Sequence, residues 1–196
     1  MAKFLYQGHG SYRFITNNNK VVYVDPFAGK GYNLPADLVL ITHQHHDHNQ
    51  IKLINQKPDT IIISNNNALI NNEYQHFDLN DIKITALPAY NSHHNKNECV
   101  GYLLEFDNLK IYCSGDTGLI DEMNNLHDLN IDYAILNSDN MYTIPFNDAK
   151  EATARINAKH NIPIHLDPLN LFSIEKANEW PGLNKLIVCD GQEIEL

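Results

Sequence analysis

The sequence predicts a single α/β domain built on mixed β-sheets. Three observations carry that expectation. Short apolar or alternating runs recur along the chain, and in its second half they alternate with amphipathic stretches. The length, 196 residues, matches one domain. Hydrophobic residues make up 43% of it, enough for a buried core and too many for a disordered chain.

The first segments read as strands. Residues 3–6, 12–16 and 21–24 are rich in aromatic and β-branched side chains, and Asn17-Asn18-Asn19-Lys20 supplies a hairpin turn. Asp25-Pro26-Phe27 ends the third strand. The apolar run 38–42 reads as a strand buried on both faces. Residues 49–56 carry Ile51, Leu53 and Ile54 at helical spacing; 60–63 read as a strand and 68–74 as a short helix. Residues 82–87 alternate as a strand, and 100–106 with 109–113 form a hairpin about Asp107-Asn108. Ile120, Met123 and Leu126 share one face of a helix over 119–129. A buried strand over 133–136 precedes a helix capped by Asn147 or Asp148 and running to about Ala158. A strand over 162–164 delivers His165. Ser173 caps a last helix, which Pro181-Gly182 stops after Trp180. Residues 185–189 and 193–196 close the chain as a hairpin around Asp190-Gly191.

Composition narrows the function. No apolar run approaches the roughly 18 residues of a membrane span, and the first residues hold no apolar leader. The formal net charge of −10 argues against general binding to nucleic acid or to anionic membranes. The three cysteines, Cys99, Cys113 and Cys189, form no Cys-x-x-Cys pair, which excludes a Cys-rich zinc finger; their odd count in a chain with no apolar leader points to reduced thiols in the cytoplasm. The expected partner is a small-molecule substrate, with no membrane and no nucleic acid; homo-oligomerisation stays open. The asparagine triplets at 17–19 and 65–67 read as turn-forming composition without function.

The anomaly is eleven histidines, four of them in Thr42-His43-Gln44-His45-His46-Asp47-His48. In extended backbone His43 and His45 face one way and His46 the other. A turn after that brings Asp47 and His48 toward the same point. Three imidazoles and a carboxylate suit zinc, iron, manganese or nickel. Further candidates follow other strands: Pro88 through His93-His94, Cys113-Ser114-Gly115-Asp116-Thr117-Gly118, and Pro163-Ile164-His165. In α/β sheets functional groups gather where strands exit into loops. Lys96, close to His94, is a candidate for an anionic substrate group, and Tyr142 for a hydrogen bond to substrate. No Gly-x-Ser-x-Gly elbow is present, so no serine nucleophile is called for.

With these residues in view, the chain resembles the metallo-β-lactamase-fold hydrolases over nearly its whole length, and within them a small bacterial branch that includes L-ascorbate-6-phosphate lactonase-like proteins. The matching residues are Gly8-His9-Gly10-Ser11, Val24-Asp25-Pro26-Phe27, Thr42 to His48, Pro88-Ala89-Tyr90, His94-Asn95-Lys96, Val100-Gly101-Tyr102, Ser114-Gly115-Asp116-Thr117 and Pro163 through His165. The resemblance implies an αββα sandwich of two mixed β-sheets flanked by helices, with a dinuclear metal site at one edge. It places His43, His45 and His94 on one divalent ion, Asp47, His48 and His165 on the other, and Asp116 between them. Zinc comes first, with manganese, iron or nickel as alternatives. His94 is preferred to His93 because it keeps the family spacing to Val100-Gly101-Tyr102. The implied reaction is hydrolysis of a small anionic ester, lactone or phosphoester by a hydroxide held between the ions and oriented by Asp47. His93 and His9 join Lys96 and Tyr142 as candidate substrate contacts. Competing readings are a nuclease or phosphodiesterase of the same fold, a diiron redox protein, and a non-enzymatic metal-binding protein. The excess of 24 Asp+Glu over 14 Lys+Arg disfavours the nuclease, His45 disfavours the diiron protein, and the complete ligand set disfavours the last.

Overall fold

The computed structural model describes residues 1–196. In chain order its elements are β1 (Lys3–Gly8), β2 (Ser11–Ile15), β3 (Val21–Val24), β4 (Ala36–Ile41), β5 (Gln56–Ser64), α1 (Asn65–Ala68), β6 (Leu69–Ile70), β7 (Glu73–Tyr74), β8 (His76–Asp78), β9 (Lys83–Pro88), β10 (Val100–Phe106), β11 (Leu109–Cys113), β12 (Tyr133–Asn137), α2 (Phe146–Ile156), β13 (His160–Ile164), α3 (Ile174–Glu179) and β14 (Glu193–Glu195). Two short 3₁₀ segments, Ile51–Leu53 and Asp121–Leu129, complete them.

The strands form two six-stranded mixed sheets, ordered β14-β1-β2-β3-β4-β5 and β13-β12-β11-β10-β9-β8. Counted from β14 in the first sheet and from β8 in the second, each makes three antiparallel pairings followed by two parallel ones. The local sequence explains the hairpins. Asp107 and Asn108 both adopt left-handed backbone, φ 53° and 63°, as a tight primed turn requires, and Phe106 then pairs with Leu109.

The sheets face each other across one core. Phe4, Tyr6, Phe14, Val24 and Leu40 of the first sheet meet Ile84, Tyr102, Leu104, Ile111 and Ile162 of the second within a cluster of 24 buried residues. The outer face of the second sheet buries Leu103, Tyr112, Ala134 and Leu136 against Met123, Leu126, Ala152, Ile156 and Trp180. The outer face of the first buries Tyr23, Val39 and Ile41 under Tyr32, Leu34 and Ile54. β4 and β12 are therefore apolar on both faces, which is why their sequences do not alternate. No helix is long and apolar enough to cross a membrane.

Several local expectations need correction. The helix expected over 68–74 is instead α1 followed by the β6–β7 hairpin; Asn71 and Asn72, at φ 52° and 65°, make the turn that ends helical spacing. Over 49–56 only one 3₁₀ turn forms, because β5 already begins at Gln56. The amphipathic stretch near 119–129 is 3₁₀ rather than α over Asp121–Leu129: the apolar residues Ile120, Met123, Leu126 and Leu129 recur every three positions, and three per turn aligns them. α2 starts one residue before the expected caps, where Asn140 Oδ1 accepts the Phe146 N–H at 2.6 Å. Ser173 caps α3 as expected, accepting from the Lys176 N–H. The closing hairpin does not form. β14 instead pairs antiparallel with β1, Lys3 opposite Glu195; residues 185–189 form no strand, Lys185 bridging to Asn161 and Val188 packing into the core between the sheets. β8, short and mostly polar, was not expected; it extends the second sheet beside β9.

Candidate metal centre

β1, β3, β4 and β5 run in one direction in the first sheet, and β9, β11, β12 and β13 in one direction in the second. Their exits converge on one edge. His9 follows β1, the segment 43–48 follows β4, His93 and His94 follow β9, Asp116 follows β11, and His165 follows β13. Backbone hydrogen bonds join the two halves there: His165 N–H donates to His9 O at 3.0 Å and Val100 N–H to Thr42 O at 3.0 Å. His9, Asp25 and His165 hold left-handed backbone, φ 55°, 45° and 49°. Such conformations cost about 1–3 kcal/mol each and cluster at functional sites.

Two carboxylates organise the imidazoles. Asp116 Oδ2 lies 3.4 Å from Nε2 of His48, 3.4 Å from Nε2 of His94 and 3.9 Å from Nε2 of His43. Asp47 Oδ2 accepts from Nε2 of His9 at 3.0 Å and lies 3.7 Å from Nε2 of His48 and 3.8 Å from Nε2 of His165. Two sets bring their ligand atoms within 4.8 Å of one another: His43, His45 and His94; and His9, Asp47, His48 and His165. A third such set, Asp25 with His43 and His48, lies behind the first two and is tied to Thr42.

The far side of three rings is fixed. His48 Nδ1 donates to Asp25 at 2.9 Å, and His94 Nδ1 to Asn91 Oδ1 at 3.1 Å. Thr42 Oγ1 donates to Asp25 Oδ2 at 2.6 Å, so it accepts from His43 Nδ1 at 2.9 Å. Each arrangement keeps a proton on Nδ1 and aims Nε2 at the centre. Gly10 lets His48 come this close; a Cβ there would stand 2.8 Å from the ring.

Nε2 of His43, His48, His94 and His165 are all buried without a hydrogen-bond partner. An orphaned buried nitrogen costs about 1–3 kcal/mol. Four converging on carboxylates form a donor set that fits divalent transition ions, so the residues present suit the metals that the sequence implied. The rings differ in charge before any ion is bound. Burial and the neighbouring His48 push His43 down to about 2. Burial opposes charge on His48, yet Asp116 and Asp25 outweigh it and raise its pKa well above the usual range. Burial likewise opposes charge on Asp116, but His48 and His165 hold its carboxyl well below the ordinary value.

A cavity of about 320 Å³ opens over the centre, with His9, His45, Asp47, His93, Tyr142 and His165 in its walls. A second cavity of about 330 Å³ shares His45, His93 and His94 with it and extends to Gln44, Asn65, Asn66 and Glu98. No lysine or arginine lines either one. The structure thus brings together every expected ligand, with His9, His93 and Tyr142 beside them, but not Lys96. That side chain pairs with Glu122 and lies over the Tyr90 ring, 4.7 Å from its centre. Asn65 and Asn66, read from the sequence as mere turn formers, line the second cavity; Asn65 accepts from Gln44 and donates to Glu98 O, both at 2.7 Å. Their position just after the parallel strand β5 was the available signal.

A sandwich of mixed sheets with this His/Asp centre at its shared strand exits is the architecture of a metal-dependent hydrolase of the metallo-β-lactamase fold. The chain belongs to the beta-lactamase superfamily, whose domain family matches residues 3–165. It is 29% identical to a UPF0173 metal-dependent hydrolase of Thermococcus onnurineus, covering 93% of this chain and 88% of that protein. A crystal structure from Parabacteroides distasonis, described as a metal-dependent hydrolase, shares 31% identity and superposes with a TM-score of 0.77 over 95% of this chain and 92% of that one. The fold is also that of Igni18 from Ignicoccus hospitalis, a metallo hydrolase, at 20% identity and a TM-score of 0.75, covering 98% of this chain and 97% of that one.

Proposed function

We propose that the chain binds two divalent cations, zinc first and manganese, iron or nickel as alternatives, and hydrolyses a small ester, lactone or phosphoester. The observation that carries this is the set of four buried, unpartnered Nε2 atoms facing Asp47 and Asp116. His43, His45 and His94 hold one ion; Asp47, His48 and His165 hold the other; Asp116, whose Oδ2 stands between the groups, is shared. Bound there, the cations supply Lewis acidity, which brings the pKa of a water to about 7 and polarises the acceptor oxygen of the substrate.

The chain's own residues do the rest. Asn137 Nδ2 donates to Asp116 Oδ1 at 2.6 Å, fixing that carboxylate so that Oδ2 faces the centre. His9 donates to Asp47 Oδ2 and turns it inward, leaving its second oxygen to orient the attacking water. His93 and Tyr142, ring edge to face at 5.3 Å, form one wall. Because no side-chain cation lines the cavity, an anionic substrate group would find its counter-charge in the ions these ligands would hold rather than in Lys96, which pairs with Glu122. The choice of a lactone or phosphoester rests on the sequence motifs alone, which resemble those of L-ascorbate-6-phosphate lactonase-like proteins. The acidic surface and a metal centre without arginine or lysine favour a small molecule over a nucleic acid. The test is elemental analysis of protein purified without chelator, with a panel of lactones, phosphomonoesters, phosphodiesters and thioesters. Two ions per chain and turnover of a small ester or lactone are expected. Only trace metal after reconstitution, or turnover of nucleic acid alone, contradicts the proposal.

A further inference from the structure

We propose that Asp139 is a positioning residue: its Oδ2 holds His165 in the ligating tautomer, while its Oδ1 fixes the loop that presents Tyr142 to the cavity. This rests on the metal-centre reading above.

Asp139 follows β12 by two residues, and its carboxylate is split between two tasks. Oδ1 accepts the N–H of Met141 at 2.9 Å, of Tyr142 at 2.7 Å and of Thr143 at 3.1 Å, and the Thr143 hydroxyl at 3.1 Å. Those four donors shape the loop. Asn91 Nδ2 binds the same loop from the ligand side, donating to Tyr142 O at 2.7 Å. Oδ2 makes none of these bonds. It is buried and lies 3.5 Å from Nδ1 of His165, and neither atom has any other partner. The opposite nitrogen of His165, Nε2, faces Asp47.

A neutral imidazole carries one proton. With Nδ1 facing a carboxylate, the proton resides on Nδ1, and Nε2 keeps its lone pair for a metal. His43, His48 and His94 obtain the same result from Thr42, Asp25 and Asn91. Asp139 is the corresponding partner of His165, and it also shapes the cavity wall, as Asn91 does through Tyr142 O.

Asp139→Asn separates this role from loop structure. The four donors on Oδ1 demand an oxygen there, so the amide NH₂ must take the Oδ2 position and point at His165. A donor at that place forces Nδ1 to accept and moves the proton to Nε2, which can then no longer ligate. The loop keeps its acceptor. Asp139→Ala removes the acceptor as well but leaves His165 free to choose its tautomer. Zinc release to a chromophoric chelator is the readout, together with ring-nitrogen NMR of zinc-loaded wild type and circular dichroism of each variant. The wild type should hold two zinc ions with His165 protonated on Nδ1. Asp139→Asn should release one ion at least about tenfold more readily, and should retain zinc no better than Asp139→Ala. An Asp139→Asn variant that holds both ions like wild type, one that clearly outperforms Asp139→Ala, or a wild-type His165 bound through Nδ1 overturns the proposal. Wild-type protein that binds no zinc overturns the metal-centre reading itself, and this proposal with it. The NMR measurement decides the tautomer even if a variant fails to fold.

Discussion

Nδ1 of His48 donates to Oδ2 of Asp25 across 2.9 Å, and both side chains are buried. Burial pushes the Asp25 carboxyl up, while the charge and hydrogen bond of His48 and the two bonds from Thr42 pull against it. Through Thr42 the same carboxylate also orients His43. One aspartate at the end of β3 therefore sets the tautomers of two proposed ligands, one for each ion.

Asp25→Asn tests that coupling. The amide oxygen stays with the Thr42 N–H, and its NH₂ then faces His48 and the Thr42 hydroxyl. Both rings lose the acceptor chain that kept their protons on Nδ1. Losing an orienting partner costs about 10–100-fold in metal affinity. A competition titration with a chelator should show a drop of at least that size. Unchanged affinity would mean that Asp25 is only a structural residue of the core.

The comparison of sequence with structure divides along locality. The segment 43–48 is readable because ligand chemistry and spacing sit in one short stretch. The hairpin β10–β11 is readable for the same reason, its turn residues lying between its strands. β14 is not, because its partner Lys3–Gly8 lies at the other end of the chain, and a local hairpin competed with it on paper. The 3₁₀ segment was readable in its three-residue period but not by hydrophobic face alone. Asp139 and Asn65 were hidden because aspartate and asparagine after a strand ordinarily make turns. Only the fold shows that their side chains reach His165 and the second cavity. Lys96 misled for the converse reason: near His94 in sequence, it finds Glu122 in space.

Asp116→Ala should lower kcat/KM by at least about 100-fold, ~2.7 kcal/mol at 1.36 kcal/mol per tenfold, and weaken retention of both ions. Its Oδ2 is within 3.9 Å of three ligand nitrogens that belong to both groups. Circular dichroism should show the fold intact, since Asp116 anchors to the sheet only through Asn137. Turnover and zinc content near wild type would remove it from the shared position.

Three neighbouring substitutions should separate by location. His94→Ala should lose metal and activity, because Nε2 of His94 is buried and faces Asp116. His93→Ala should raise KM with metal content unchanged, because His93 lines both cavities and belongs to neither ligand group. Lys96→Ala should leave both parameters near wild type, since it removes a partly exposed ion pair worth less than about 1 kcal/mol. A metal-free His93→Ala variant would move the ligand by one residue, and a large rise in KM for Lys96→Ala would return that lysine to the site.

Metal binding should release protons. Burial opposes charge on His165, but Asp116, Asp139 and Asp47 outweigh it and raise its pKa to about 9. His48 is raised as well, by Asp116 and Asp25 against its own burial. With no ion bound, both rings therefore carry an extra proton at about pH 7, whereas a ligating imidazole must be neutral. Zinc has to displace those protons, up to two per chain. The sign follows: affinity rises with pH while His165 is protonated in the free protein, and its share of that dependence ends above about 9. Calorimetric titration near pH 7 in buffers of different ionisation enthalpy should give heats that vary linearly with that enthalpy, with a slope between about one and two protons. The same linkage makes hydrolysis rise with pH through roughly 6 to 8, because one further deprotonation, of the attacking water, lies near 7. Heats independent of the buffer, or a rate that peaks near pH 4 to 5 after metal is lost, would mean that His48 and His165 are not ligands and that the carboxylates carry the chemistry alone.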